Sequence, residues 1–208
     1  AVTGFALAGC GGSGASSSSA KAPAAGAAKT PAKPGDKLII RMLDIGQGDA
    51  FLLEKDGKFA MIDTGDVEHR EALVKYLHEY GVKELSNVII THPHADHMGG
   101  MKAVFDNIKV DNIYDDGVPT NTNTYKTYLK NIKTKNIPFH IPKAGETIAL
   151  FDGVDFHVAG PVSEITDQKG RPDLNNNSIV GKLTYGDFSM LFTGDAEKEE
   201  ESAILKSG

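Results

Sequence analysis

The chain has 208 residues, of which 22 are basic and 28 are acidic, so its net charge is −6, and it contains a single cysteine. One cysteine excludes an internal disulfide. Residues 36–208 contain no stretch of about 20 apolar residues that could cross a membrane. Their length suffices for one domain with a hydrophobic core.

The first ten residues resemble the end of a bacterial lipoprotein signal peptide. Residues 1–10 are mostly small or apolar and finish with Leu7-Ala8-Gly9-Cys10, and neither an initiator Met nor a basic segment precedes them. We interpret residues 1–10 as the remnant of such a signal, clipped at its start, with Cys10 as the lipidated residue. The protein would then be extracytoplasmic and anchored to the membrane by its lipid. The alternative is a chance run of small residues with an inert thiol.

The next segment, residues 11–35, is predicted to be a disordered linker. It consists mainly of Gly, Ser, Ala, Pro and Lys, and it has too little apolar surface to offset the entropy of ordering. Its three lysines are its only charges, so residues 36–208 keep 19 basic against 28 acidic groups, a net charge of −9. Contacts to phosphate depend on Lys and Arg, so this acidity counts against tight binding of DNA.

Residues 36–208 alternate between strand and helix patterns, which predicts a single α/β domain. An Asp-Gly pair at residues 56 and 57 predicts a tight hairpin turn between two of the strands. The predicted strands lie at residues 38–43, 50–53, 59–62, 88–90, 147–150, 154–158, 178–185 and 188–192. The predicted helices lie at residues 67–80, 98–105, 125–135 and 196–205.

A cluster of metal-binding side chains follows the apolar strand at 88–90. His92, His94, Asp96 and His97 lie within six residues and precede a Gly-Gly pair. Imidazole and carboxylate together suit zinc, manganese or iron. In an extended chain the first three share one face and His97 points away, which indicates two metal positions. The alternatives are a chance surface cluster or a metal-scavenging tract.

The spacing His-x-His-x-Asp-His resembles the metal signature of the metallo-β-lactamase superfamily. Four further blocks resemble one branch of it, the extracytoplasmic metallo-hydrolase domain of ComEC-type competence proteins, whose relatives include a secreted phosphocholine esterase. These blocks are residues 43–50, 61–65, 175–180 and 191–196. The resemblance runs in order from about residue 38 to residue 200, and it implies an αββα sandwich.

The resemblance also implies roles for individual residues. Asp195 would bridge two divalent metal ions, zinc or manganese, while Asp96 and His97 serve the second ion, and Asp96 and Asp195 would be the catalytic carboxylates. Asp63 matches a carboxylate that orients a ligand histidine. Asp49 either lines the mouth of the site or only forms a turn.

This chain departs from the family pattern in two places. A third histidine for the first metal usually precedes the Thr-Gly-Asp block, but residues 161–194 contain none, and residues 175–178 (Asn-Asn-Asn-Ser) occupy that place. His157 is a weak candidate replacement. The family also carries a last histidine on a later strand, whereas this chain ends at Gly208. The sequence therefore predicts a sandwich that is incomplete at its C-terminus.

The leading functional hypothesis is a metal-dependent hydrolase, a phosphodiesterase or nuclease of the ComEC-like type that uses a metal-bound hydroxide. Its substrate would be DNA or a cell-envelope polymer. The second hypothesis is an envelope esterase of the phosphocholine type, which the acidic surface favours. The third is a lipid-anchored binding module with a degenerate metal site.

Overall fold

The computed structural model describes residues 37–208. Cys10, the signal remnant at 1–10 and the linker at 11–35 lie outside the described residues, so the interpretations of those segments stay predictions. Within the described part, no helix is long and apolar enough to span a bilayer.

Twelve strands and five α-helices make up the described part of the chain. The strands are β1 (Leu38–Met42), β2 (Phe51–Lys55), β3 (Lys58–Ile62), β4 (Glu84–Leu85), β5 (Asn87–Ile90), β6 (Lys109–Val110), β7 (Ile113–Asp115), β8 (Phe139–His140), β9 (Thr147–Phe151), β10 (Val154–Gly160), β11 (Val180–Tyr185) and β12 (Phe188–Phe192). The helices are α1 (Arg70–Glu79), α2 (Ala95–Met98), α3 (Met101–Asn107), α4 (Asn123–Lys135) and α5 (Lys198–Ser207), and Asn175–Asn177 forms a 3₁₀ turn.

Two sheets carry the fold. The first has the strand order β1-β2-β3-β5-β7-β8, and its strands from β3 to β8 run parallel. The second is antiparallel with the order β12-β11-β10-β9, while β4 and β6 form a separate short pair. Because parallel strands end at the same edge, the residues that follow β5 and β7 lie side by side.

The core divides into two layers because alternate residues of a strand face opposite sides. On β2, Leu52 packs with the helices, whereas Phe51 and Leu53 pack against the second sheet. On that sheet Phe156 fills the space between the layers and is fully buried. Helix α5 packs against β10 and the 3₁₀ turn. The layer order is helices, sheet, sheet, helix, which confirms the predicted αββα sandwich.

Most predicted elements are confirmed within a few residues, including the hairpin in which Lys55 pairs with Lys58. The helix predicted at 98–105 is confirmed by α3 from residue 101 onward, but it is not continuous with Met98, because Gly99 and Gly100 separate α2 from α3. A Cβ on Gly100 would lie 2.1 Å from the Thr64 carbonyl oxygen, so the backbone approaches too closely there for a side chain. The strand predicted from residue 178 begins at Val180.

Candidate metal centre

The histidine cluster begins where β5 ends, at the edge where parallel strands leave the sheet. Strand β5 is buried along its whole length, and so are Thr91 and His92. The Thr91 carbonyl oxygen accepts a 2.8 Å hydrogen bond from Ile179 N–H, which ties the loop to the second sheet. The loop is therefore held from both sheets.

The structure brings potential metal ligands together in two groups. His92, His94 and Asp195 each offer one ligand atom, and these atoms lie within 4.8 Å of one another. A second group contains Asp49, Asp63 and His97, whose ligand atoms also lie within 4.8 Å of one another. All six side chains were predicted as parts of the site: three come from the cluster at 92–97, and three come from segments that are distant in the chain.

Asp195 connects the two groups. Its Oδ2 lies 3.6 Å from His92 Nε2 and its Oδ1 lies 3.1 Å from His97 Nε2. The Asp195 side chain is 38% exposed, so it is reachable from solvent. Asp96 approaches from α2, with Oδ2 at 4.0 Å from His97 Nε2. Both predicted catalytic carboxylates thus face the same centre.

Asp63 lies behind the centre and is completely buried. Its Oδ1 accepts a hydrogen bond from Thr91 N–H, and its Oδ2 accepts from Thr91 Oγ and from His97 Nδ1, at 2.8, 2.7 and 2.9 Å. Burial raises the pKa of the Asp63 carboxyl, and these donors oppose that rise. With both oxygens engaged, Asp63 is placed to orient neighbouring groups rather than to bind an ion itself.

These hydrogen bonds determine which ring nitrogen of each histidine is free. Thr91 Oγ donates its only proton to Asp63. It also lies 3.1 Å from His92 Nδ1, and since it has no further proton to give, it accepts a hydrogen bond from that nitrogen. His97 Nδ1 likewise donates to Asp63. Both rings therefore present Nε2 as the metal-binding atom. This role of Thr91 was not predicted from the sequence.

The two buried histidines have opposite electrostatic environments. Burial, together with the neighbouring His97 and His94, lowers the pKa of His92 to about 2, so its ring is neutral. Burial would also lower the pKa of His97, but the hydrogen bond and charge of Asp63, followed by Asp195 and Asp96, raise it to about 9. The centre thus has a neutral imidazole beside a cationic one.

Asp49 reaches the centre from the loop between β1 and β2. Its carbonyl oxygen accepts a 2.8 Å hydrogen bond from Gly65 N–H, beside the strand end that carries Asp63. A Cβ on the adjacent Gly48 would lie 1.9 Å from the Asp96 carbonyl oxygen, so this loop packs directly on the metal loop. Burial raises the pKa of the Asp49 carboxyl. This placement favours a residue at the mouth of the site over a simple turn.

The segment that replaces the family's third histidine has a structural role. Asn176 Oδ1 accepts from the backbone N–H groups of Glu197 and Glu200, at the start of α5. Asn177 holds the preceding loop: its Oδ1 accepts from Ile165 N–H, and its Nδ2 donates to the carbonyl oxygens of Ile165 and Asp173. Asn176 Oδ1 and both sides of the Asn177 amide are therefore occupied.

His157 does not lie at the centre. It is on β10, where its Nδ1 and Nε2 lie 2.9 and 3.1 Å from the hydroxyl oxygens of Thr147 and Thr184. Both ring nitrogens are thus engaged on the sheet, and the idea that His157 replaces the missing ligand is wrong.

The donor set fits a pair of divalent ions. Imidazole nitrogens and carboxylate oxygens converge from separate segments of the chain, and Asp195 can contribute one oxygen to each group. Such nitrogen and oxygen donors suit zinc and manganese. The arrangement can therefore hold two ions that share one carboxylate.

Comparison with known proteins agrees with this geometry. Residues 43–207 match the family model of the metallo-beta-lactamase superfamily. The chain is 27% identical over 186 residues to ComE operon protein 3 of Bacillus subtilis, with 80% of this chain and 23% of that protein covered. It is 26% identical over 179 residues to competence protein ComA of Neisseria gonorrhoeae, with 85% and 23% covered. The chain thus spans less than a quarter of these relatives.

Solved structures share the fold at low sequence identity. The metallo-beta-lactamase fold protein YhfI of Bacillus subtilis has a TM-score of 0.50 and 12% identity, with 76% of this chain and 62% of that chain covered. The metallo-beta-lactamase SMB-1 has a TM-score of 0.50 and 14% identity, with 81% and 70% covered. Because the family model matches residues 43–207, this chain belongs to the metallo-β-lactamase superfamily.

Proposed function

We propose that this protein is a ComEC-like phosphodiesterase or nuclease that uses two divalent ions, zinc or manganese. The observation that carries the proposal is the Asp195 carboxylate, which faces His92 Nε2 with one oxygen and His97 Nε2 with the other. A carboxylate between two ligand groups is what a pair of ions a few ångströms apart requires.

In this proposal His92, His94 and Asp195 hold the first ion, and His97, Asp96 and Asp195 hold the second. When bound, such ions lower the pKa of a water and stabilise charge on the oxygens of a phosphodiester. The chain's own contribution is orientation. Asp63 and Thr91 hold the two buried rings with Nε2 toward the centre, while the partly exposed carboxylates face arriving substrate.

Titration of the metal-free protein with zinc or manganese is expected to end at two ions per chain and to release protons at pH 7. The His97 ring, with a pKa of about 9, must give up its proton before Nε2 can bind an ion. Affinity should therefore rise with pH up to about 9 and weaken on acidification. Calorimetry in two buffers of different ionisation enthalpy measures the protons, and metal analysis after dialysis measures the ions. Retention of no divalent ion at neutral pH would contradict the hydrolase proposal.

Two substrate classes fit the proposal. Two relatives are named for competence and recombination, namely competence protein ComA and Recombination protein 2 of Haemophilus influenzae, and this favours DNA. The net charge of −9 over residues 36–208 favours an envelope polymer substituent that carries its own cation, such as phosphocholine. We place the phosphodiesterase or nuclease first and the phosphocholine-type esterase second.

The deciding experiment compares turnover of single-stranded DNA and of a phosphocholine ester in manganese, at low and at physiological salt. We expect DNA binding to be weak because the net charge of the domain is negative, and we expect it to fall as salt rises because contacts to phosphate are ionic. DNA cleavage that survives physiological salt would reject the envelope esterase. Turnover of neither substrate by a protein that retains metal would favour the binding module.

We also propose that a lipid on Cys10 anchors the protein outside the cytoplasm, where an envelope polymer or incoming DNA is available. The expected result is incorporation of labelled palmitate that Cys10→Ser abolishes. Unchanged labelling of that variant would reject the anchor.

A further inference from the structure

A small pocket lies between α1, α3 and α4, beside the short helix α2 that carries Asp96 and His97. Its volume is about 190 Å³, which is smaller than a pocket that encloses a whole drug-sized ligand. Arg70 of α1, Lys102 of α3 and the first turn of α4 line it, together with Met98 of α2. Among the described residues, no carboxylate lines this pocket. Its size and lining suit one small anionic group of a substrate.

The pocket lies at the edge of the first sheet that carries the metal centre. Strands β3, β5 and β7 are parallel and end at one edge, so the helices that follow them, α1, α2 and α4, begin there. Arg70 Nε donates a 2.6 Å hydrogen bond to the Gly99 carbonyl oxygen. Gly99 follows His97 by two residues, which span at most about 7 Å of backbone. The Arg70 guanidinium is thus attached to the backbone that carries His97.

Within residues 37–208, Arg70 is the arginine that has no carboxylate partner. Arg41 pairs with Glu54 and Arg171 pairs with Asp167, each at 2.7 Å. Arg70 uses only its Nε, while its Nη1 and Nη2 make no hydrogen bond or ion pair to any residue in that range. A guanidinium presents its N–H donors in a rigid fork that matches phosphate and carboxylate oxygens. A fixed guanidinium with two free nitrogens beside the metal loop therefore points to an anionic ligand.

The charge beside Arg70 is positive although the domain as a whole is acidic. Residues 36–208 have a net charge of −9, but residues 117–145, which include α4, contain five lysines and no acidic residue. Lys126, Lys130 and Lys133 are exposed and follow one another on α4 at spacings of four and three residues, so they share one face. The first turn of α4 lines the pocket, and the positive end of a helix dipole adds to the attraction for an anion. This part of the surface therefore attracts phosphate, which the rest of the domain repels.

We propose that Arg70 and the first turn of α4 form an anion subsite, which binds a phosphate that neighbours the phosphodiester hydrolysed at the metal centre. This inference rests on the proposed phosphodiesterase function, and it specifies the substrate class as a phosphodiester polymer. A single phosphocholine ester has no second phosphate with which to occupy the subsite. Arg70 holds the substrate and makes no contact with the reacting atoms, so it determines specificity rather than the rate of the chemical step.

The first test measures binding of fluorescent hexathymidylate to the metal-free protein by anisotropy, so it does not depend on catalysis. We expect Arg70→Gln to weaken binding about 10-fold or more, because a hydrogen-bonded contact between two charged groups is lost. The slope of log affinity against log salt should become shallower by about 0.7, the value for one phosphate contact on a single strand. An unchanged affinity and an unchanged slope would overturn the subsite.

Two further variants separate the subsite from net charge and from damage to the fold. Lys109→Gln removes one exposed cation from β6, which precedes β7 and so lies at the other end of the strands, and it should change binding little. Equal losses in Lys109→Gln and Arg70→Gln would mean that only net charge matters. Asn123→Asp adds a negative charge in the first turn of α4, where a carboxylate suits the helix, and it leaves the bond from Arg70 to Gly99 intact. It should also weaken binding of hexathymidylate about 10-fold, and unchanged binding would contradict the subsite.

The second test compares turnover of bis(4-nitrophenyl) phosphate, which has one phosphate, with turnover of tetrathymidylate in manganese. Arg70→Gln and Asn123→Asp should keep kcat/KM on the first substrate and lose about 10-fold on the second. Equal losses on both substrates would indicate a purely structural role and would overturn the subsite.

The two tests together distinguish this inference from the proposed function. If the natural chain hydrolyses neither substrate but both variants weaken binding of hexathymidylate, the phosphodiesterase proposal fails and the anion subsite stands. If the natural chain hydrolyses bis(4-nitrophenyl) phosphate but both variants bind hexathymidylate as the natural chain does, only the subsite fails.

Discussion

Asp195→Ala and His94→Ala are each expected to lower hydrolysis of a bis-aryl phosphodiester by about 100-fold or more. Asp195 faces His92 Nε2 and His97 Nε2 with its two oxygens, so its loss affects both ligand groups. His94 Nδ1 lies 3.0 Å from His92 Nε2, so its loss removes one of the donors that converge on the first position. The measurement is kcat/KM with saturating manganese, together with metal content after dialysis.

The control is His78→Ala, an exposed histidine near the end of α1. This variant should retain full activity and metal content, because its side chain lies in solvent on a helix away from the centre. Comparable activity in all three variants would mean that the catalytic centre lies elsewhere. A loss of activity without a loss of metal in Asp195→Ala would reveal a role in the reaction beyond metal binding.

Asp63→Ala is expected to lower the free energy of unfolding by about 3–5 kcal/mol and to weaken metal binding by about 10- to 100-fold. The substitution leaves Thr91 N–H and His97 Nδ1 without their buried acceptor. Asp63 also has φ of 54°, a left-handed conformation that alanine adopts with strain. Urea unfolding and zinc titration measure the two effects separately.

Two further variants separate the cost of backbone strain from the cost of losing the Asp63 carboxylate. Asn136→Ala changes a residue with φ of 52° at the exposed end of α4, so it should show the backbone strain alone, about 1 kcal/mol. Asp63→Asn tolerates the left-handed conformation but removes the charge, so it should spare more of the stability than Asp63→Ala while still weakening metal binding. Unchanged zinc affinity in both Asp63 variants would show that the carboxylate does not orient the ligand histidines.

Short-range patterns explain what could be predicted from the amino-acid sequence. The strands β2 and β3, their Asp-Gly hairpin and the helix that ends before Gly81 each follow from periodicity and turn residues. The cluster from His92 to His97 was recognisable because all its members are neighbours in the chain. Strands β4, β6, β7 and β8 were missed, since two or three residues carry no periodicity.

Contacts between distant segments determine the features of the site that local sequence patterns did not predict. No local pattern shows that Thr91 Oγ lies between Asp63 and His92, or that the amides of Asn176 and Asn177 are occupied by backbone groups. The sequence by itself determined the family, the sandwich and the metal-binding residue types, because these depend on local composition and spacing. Only the tertiary structure decided that Asp195 faces both ligand groups with its two oxygens. That position depends on the end of β12 in the second sheet meeting the loop after β5 in the first, a contact between segments that are far apart in the chain.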